Sequence, residues 1–472
     1  MSKSSTTNSL DPRIDYLVKP FMKLVNQKEF SNKRNTMHIL RGVTGQGKTH
    51  TCIHDWIPTL LSKGIRLMVY SVPMNEIRQD DEFEIASLEY DVRPFVVRDE
   101  FDKAQHFLEN TKHPIIFITT NQNWTGDKGR LFQDWAIDNL GNNKIAFFLD
   151  EAHTWLVSCH PNYRTVVGSS TPTYEAILFK QLSKLTEVTP YVFGITATPN
   201  SEMLGDIEPA PGMKFEIVNE MADKKLLISR TAWLNRLDHY EKGEEEFAFQ
   251  QTIDDFMRKE SENKPVMMIH VCREPNEWDV DNTLEYLKNY LEISGPFDKS
   301  QNQKLIVVLT DKKKFVTDIN GNREALNDQT ALKYLRDPKH PARFLIVVEK
   351  GKCGMNVQNL SSYFSFRFID RKDLEGLYIT TSFLQTAGRF VRPNVSKNYL
   401  DNNNDLTNFI RSVKEDTNYT KTQKKSIIDN VINTNSFDIH VPKTETWVES
   451  MRIFREDYCS STRDARKWVK SI

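Results

Sequence analysis

GVTGQGKT, residues 42–49, is the stretch whose reading decides this chain. A short apolar stretch, residues 37–40, precedes it, and a helix-forming run begins near His50. The eight residues satisfy G-x-x-x-x-G-K-[ST] in the strand–loop–helix setting that gives the pattern its meaning. Gly42, Gly45 and Gly47 allow backbone angles that residues with side chains resist. Such a loop aims several N–H groups at one anion, at the positive end of a helix. Lys48 adds a point charge suited to β- and γ-phosphates, and Thr49 a hydroxyl suited to Mg²⁺. The expected nucleotide-binding set is Gly42, Thr44, Gly45, Gln46, Gly47, Lys48 and Thr49.

The bulk properties narrow what surrounds this loop. At 472 residues the chain exceeds one ordinary core, so two or three domains are expected. A composition of 39% hydrophobic and 27% charged residues is that of a globular protein. With a net charge of −1, any attraction to nucleic acid must come from a local basic surface rather than the molecule as a whole. The five cysteines are widely spaced with no C-x-x-C pair, which argues against a zinc site or a disulfide framework. That usage fits a reducing, cytoplasmic compartment, or a nuclear or viral replication compartment in a eukaryotic host. The first ten residues are rich in Ser, Thr and Asn, so no secretory leader is expected. No run of about 18 apolar residues exists, so no membrane span is expected.

Along the chain, apolar strand candidates alternate with helical patterns. Residues 11–35 read as a helix with Leu17, Phe21 and Val25 on one side. Residues 66–71, 91–98, 115–119, 144–149 and 192–195 read as strands, with a helix over 174–185. A second series follows at 266–271, 305–309, 344–348 and 363–368, with helices over 281–291 and 324–335. This alternation predicts two α/β units built on mostly parallel sheets covered by helices. The expected division is a lead and helix over 1–35, domains over 36–215 and 216–435, and a small helical segment over 436–472.

Chemistry-bearing residues fall where such sheets bind ligands, beyond the carboxyl ends of strands. Asp150-Glu151-Ala152-His153 directly follows the apolar stretch 144–149. Asp150 is placed to hold a metal with Thr49, and Glu151 to polarise an attacking water. Thr196-Ala197-Thr198-Pro199 follows the strand at 192–195, where its hydroxyls can link sites by hydrogen bonding. QTAGRFVR, residues 385–392, sets Arg389 and Arg392 three apart, hence on one face of a helix. Two such guanidinium groups suit a γ-phosphate. Trp124 is a candidate platform for base stacking. Arg463, Arg466, Lys467 and Lys470 form a basic helix face, either solvated or in contact with nucleic acid.

In this order, the motifs resemble those of superfamily 2 helicases of the DEAH-box type, in particular phage and type III restriction-enzyme helicases. The likeness spans roughly residues 37–392. GVTGQGKT resembles motif I, DEAH motif II, TATP motif III and QTAGRFVR motif VI. YSVP (70–73) is similar to motif Ia, and ITTN (118–121) to the nucleic-acid-contacting motif after it. VMMIHV (266–271) resembles motif IV, EKGKCGMNVQNL (349–360) motif V, and residues 215–227 the segment joining the two domains. Thr386 stands where relatives commonly carry Arg, Asn356 where many carry Asp, and no glutamine motif precedes motif I.

The resemblance implies two tandem RecA-like domains holding ATP and Mg²⁺ on motif I and II residues. Arg389, Arg392 and Gln385 would approach the nucleotide from the second domain, completing a catalytic set with Lys48 and Glu151. It further implies single-stranded nucleic acid, DNA favoured, lying across both domains, and ATP-driven unwinding. A duplex translocase, an RNA helicase and a non-hydrolysing binder are the competing readings. The last is disfavoured by the presence of Glu151 and both arginines.

Overall fold

Residues Ile145–Asp150 (IAFFLD) place five apolar side chains in a row before the first charge, and all five are buried. A strand apolar on both sides needs cover on both sides, which helices flanking a parallel sheet provide. The computed structural model describes residues 12–42, 48–73, 90–96, 100–159, 172–196, 212–219, 232–259, 264–294, 303–310, 312–337, 339–348, 357, 360–368, 387, 390 and 406–472.

The chain divides into two units, Met1–Ala222 and Asp223–Ile472. In the first, the described elements run α1 (Pro12–Val25), β1 (Thr36–Arg41), α2 (Lys48–Thr51), α3 (Ile57–Ser62), β2 (Leu67–Val72), β3 (Arg93–Val96), α4 (Phe101–Asn110), β4 (Ile115–Thr120), α5 (Asn121–Thr125), α6 (Asp127–Leu140), β5 (Ile145–Asp150), α7 (His153–Ser158), α8 (Tyr174–Val188), β6 (Val192–Thr196) and β7 (Lys214–Ile217). The strands lie in the order β3-β4-β2-β5-β6-β1-β7, and every pairing is parallel. Between α2 and α3 the helix widens into a π turn over Cys52–Trp56. Pro58 follows, which has no N–H for an ordinary helical bond, and the wider turn accommodates that loss.

Successive residues of β5 face opposite sides, as the pleat requires. Phe148 stacks against Phe193 and Trp56, with ring centroids 5.4 Å and 6.2 Å away. Phe147 meets Trp124 on the other side at 5.7 Å, within a cluster that includes Phe101, Phe117 and Phe132. Trp124 is fully buried there. It is a core residue, and the base-stacking role suggested by its place near β4 is not available to it.

The second unit contains β8 (Trp233–Tyr240), α9 (Glu245–Met257), β9 (Val266–His270), α10 (Val280–Ser294), β10 (Ile306–Leu309), β11 (Lys314–Thr317), β12 (Arg323–Ala325), α11 (Asp328–Arg336), β13 (Phe344–Val347), β14 (Leu360–Ser365), α12 (Leu406–Glu415), α13 (Lys421–Thr434), β15 (Ser436–Pro442), α14 (Glu445–Ile453), β16 (Ser460–Ser461) and α15 (Thr462–Ser471). Its sheet order is β12-β11-β10-β13-β9-β14-β15-β8-β16, parallel except for the antiparallel edge pairs of β10 with β11 and β11 with β12. Each unit is thus a mostly parallel sheet covered by helices, as the alternating sequence pattern predicts. No helix among the described residues is long and apolar enough to cross a membrane.

Two differences from the sequence pattern have physical causes. The helix expected over 324–335 starts later, at Asp328, because residues 314–325 form a hairpin. Asn320-Gly321 supplies the turn, with Gly321 at φ 88°, and Asp318 accepts a hydrogen bond from the Asn322 N–H at 2.9 Å. Strand β15 also departs from the pattern, because Asp438 and His440 interrupt its apolar residues. Both are nevertheless buried. Asp438 pairs with Lys259 at 2.8 Å and accepts from Asn235 Nδ2 at 2.9 Å, while His440 lies 3.5 Å from Asp238.

Replacing Trp124 by Ala removes the centre of an aromatic cluster, so the free energy of unfolding of this unit should fall by about 3–5 kcal/mol in urea denaturation. A loss below about 1 kcal/mol would contradict this packing.

Candidate functional site

The carboxyl ends of β1, β2, β4, β5 and β6 carry the polar residues of the first unit. The Gly42 N–H donates to the Thr196 carbonyl at 3.0 Å, extending the pairing of β1 with β6 by one residue. Asn219 clasps the same strand end, accepting from the Arg41 N–H at 2.8 Å and donating to the Arg41 carbonyl at 2.7 Å. A Cβ on Gly42 would sit 2.9 Å from Lys48 Cγ and 3.2 Å from the Tyr16 hydroxyl, so the lysine stem requires glycine there. Lys48 Nζ donates to the Gly42 carbonyl at 2.9 Å. Thr44, Gly45, Gln46 and Gly47 lie outside the described residues, as do Ala197, Thr198 and Pro199.

Asp150 ends β5 with both oxygens engaged. Oδ2 accepts from the buried Tyr70 hydroxyl at 2.9 Å, and Oδ1 from the Glu151 N–H at 2.9 Å. The Thr49 side chain hydrogen-bonds the same phenol, so Tyr70 joins the two residues expected to face a metal. Loss of hydration and then the neighbouring Glu151 charge push the Asp150 carboxyl up to about 6, while Lys48 opposes the rise. Burial, reinforced by the Asp150 charge, raises the Tyr70 phenol well above its ordinary range.

Glu151 adopts a left-handed backbone, φ 48°, uncommon for a residue with a side chain. The turn sends the chain back so that the Ala152 N–H donates to the Ile195 carbonyl at 2.9 Å. Gly194 makes room, since a Cβ there would stand 2.9 Å from Ala152 Cβ and would overlap Met37 Cε. His153 lies 3.5 Å from Glu151 Oε2, and burial drives it down to about 3, so it stays neutral at physiological pH.

A buried chain of hydrogen bonds braces that turn. Ser71 Oγ donates to Asn121 Oδ1 at 2.7 Å, Asn121 Nδ2 to Thr154 Oγ1 at 3.2 Å, and Thr154 Oγ1 to the Glu151 carbonyl at 3.1 Å. The ends of β2 and β4 are thereby tied to Glu151. Tyr70, Asn121 and Gly194 are residues of this arrangement that the sequence pattern does not single out. Tyr70 and Asn121 sit inside YSVP and ITTN, but their partners lie on strands remote in sequence.

In the second unit, Gln385, Arg389 and Arg392 lie outside the described residues. Of QTAGRFVR, Ala387 and Phe390 are described and buried, with Phe390 5.7 Å from the Tyr363 ring. Of the stretch resembling motif V, Val357 is buried and Leu360 opens β14. His270, which ends VMMIH, is buried with its Nδ1 2.9 Å from the Tyr363 hydroxyl.

Residues 14–201 match the family described as type III restriction enzyme, res subunit. Fewer than half of the 472 residues lie in that stretch. No curated protein matches. Among solved structures, it resembles the Mycobacterium smegmatis helicase Lhr bound to ssDNA and AMP-PNP, at 14% identity and TM-score 0.41, over 78% of this chain and 43% of that one. The chain thus spans less than half the length of that helicase. It also resembles a variant of S. cerevisiae Dbp5 bound to a Gle1 variant and IP6, at 12% identity and TM-score 0.48, over 100% of this chain and 99% of that one. The DEAD-box helicase Mss116 bound to ssRNA and UDP-BeF matches at 12% identity and TM-score 0.45, over 98% and 81%.

The raised Asp150 carboxyl has a testable sign. Its unfolded value is near 3.8 and its folded value about 6, so the folded chain holds the proton more tightly. It therefore costs stability progressively as pH rises through that window, and the full cost persists above it. In chelator and without nucleotide, Asp150→Asn should melt above the wild type near pH ~7, with the gap closing towards pH ~4. A variant less stable than the wild type near neutrality would contradict the assignment.

Proposed function

We propose that this enzyme is an ATP-dependent helicase that couples hydrolysis to movement along, and unwinding of, DNA during replication, recombination or repair. The observation that carries the reading is the convergence of Lys48, Thr49, Asp150 and Glu151 at the carboxyl end of one parallel sheet, with Tyr70 hydrogen-bonded to both Thr49 and Asp150. A carboxylate that burial and a second carboxylate both disfavour is suited to a divalent cation, so the residues present fit Mg²⁺. Thr49 and Asp150 would hold that ion, which when bound offsets the charge of the phosphates.

The roles follow from chemistry. Lys48, with the N–H groups of residues 42–49, binds the triphosphate. Glu151, fixed by its left-handed turn and the braces from Asn121 and Thr154, orients water at the γ-phosphate. Arg389 and Arg392 supply positive charge as the phosphoryl group departs, and Gln385 faces the same nucleotide. Single-stranded DNA is the partner, and its phosphates make binding weaken with salt.

The test measures ATP hydrolysis beside single-stranded DNA, duplex DNA and RNA, with strand-displacement and triplex-displacement assays in parallel. The proposal expects stimulation by single-stranded DNA and strand displacement. Triplex displacement without unwinding would replace the helicase by a duplex translocase, and stimulation by RNA alone would replace the substrate. Glu151→Gln should retain ATP binding but lose turnover, and Arg392→Ala should lower kcat at least ~10³-fold. Near-normal hydrolysis by either variant would remove its assigned role.

A further inference from the structure

Helix α15 (Thr462–Ser471) divides cleanly into two faces. Thr462, Ala465 and Val469 are buried, the latter two packed in a cluster with Trp233, Leu406, Ile410 and Val431. Arg463, Arg466, Lys467 and Lys470 are exposed, at the i, i+3, i+4, i+7 spacing of a single stripe. The helix contains one acid, Asp464, and it is used in the N-terminal capping box. Its Oδ2 accepts from Ser461 Oγ at 2.7 Å, and its N–H donates to Ser461 Oγ at 3.1 Å. Among the described residues, no carboxylate pairs with any of the four cations.

Two further lysines act as ties rather than free charges. Lys414 Nζ donates to the Val469 carbonyl at 2.5 Å, and Lys424 Nζ to the Lys414 carbonyl at 2.6 Å. These bonds draw the start of α13, with exposed Lys421 and Lys425, towards the end of α15 that carries Lys470. In a chain of net charge −1, a cationic surface of this kind is a local concentration and not the average of the molecule.

We propose that the outer face of α15 is a nucleic-acid backbone contact, additional to the motif residues and resting on the reading of the protein as a DNA-acting enzyme. From Arg463 to Lys470 the stripe rises seven steps, ~10 Å at 1.5 Å per residue, which covers about three phosphates of one strand at the ~3.4 Å axial spacing of a duplex. A fork of arginines and lysines without base-reading groups binds without sequence preference. A lipid surface fits poorly. The apolar face that a membrane-lying helix inserts is here spent on the core.

The test uses the full chain and fluorescence anisotropy of a labelled single-stranded DNA over a range of KCl concentrations. The variant carries Arg463→Gln, Arg466→Gln, Lys467→Gln and Lys470→Gln together. Losing about three phosphate contacts should flatten the slope of log K against log[salt] by about 2, and weaken low-salt binding at least ~10-fold. ATP hydrolysis without nucleic acid should be unchanged. Arg463→Lys with Arg466→Lys, which keeps the charge, should keep the slope. DNA binding with an unchanged slope in the quadruple variant overturns the contact while leaving the proposed function intact. The same holds if the variant loses only affinity for phosphatidylserine vesicles or for an acidic peptide. A wild-type chain that binds no nucleic acid overturns both.

Discussion

Asp150 concludes an apolar strand with a carboxylate whose charge is opposed by lost hydration and by Glu151 next to it, and relieved by Lys48. The first unit is arranged around keeping that group in place. β5 delivers it, Tyr70 from β2 holds one oxygen, the Glu151 N–H holds the other, and Lys48 at the start of α2 tempers its charge. Such an arrangement costs stability in isolation and is retained where a cation and a polyanion recover the cost on binding. The left-handed backbone of Glu151 is local strain of the same kind, held by the Ala152 bond to β6 and by the Asn121–Thr154 chain.

Much of this was legible in the sequence, because an abrupt charge after an apolar run marks a strand end. Residues 42–49 after β1 and 150–153 after β5 announced themselves in that way. The parallel order followed from strands apolar on both faces. What the sequence hid depends on partners far along the chain. Tyr70 reads as an ordinary strand aromatic until Asp150 is set beside it, 80 positions later. Gly194 reads as a weak point in β6 until Met37 and Ala152 are seen to need its space.

Trp124 shows the reverse error. A tryptophan near the end of a strand suggested a ligand surface, but an aromatic neighbourhood recruited from α4, β4, α6 and β5 buries it completely. In the second unit, Asp438 and His440 hid a strand within the stretch expected to be helical; inside the sheet Lys259 pairs with Asp438, and His440 lies 3.5 Å from Asp238. Charge therefore misleads about burial wherever a partner is waiting, and informs about exposure where none is, as on the outer face of α15.

The central claim is that Lys48, Thr49 and Asp150 together receive a metal-bound triphosphate. Calorimetric titration of ATP into the wild type and Lys48→Ala, each with Mg²⁺ and with chelator, addresses it most directly. The account predicts saturable binding by the wild type in Mg²⁺, at least ~10-fold weaker without the ion, and a comparable or larger loss in Lys48→Ala. Equal affinity in all four titrations would contradict it.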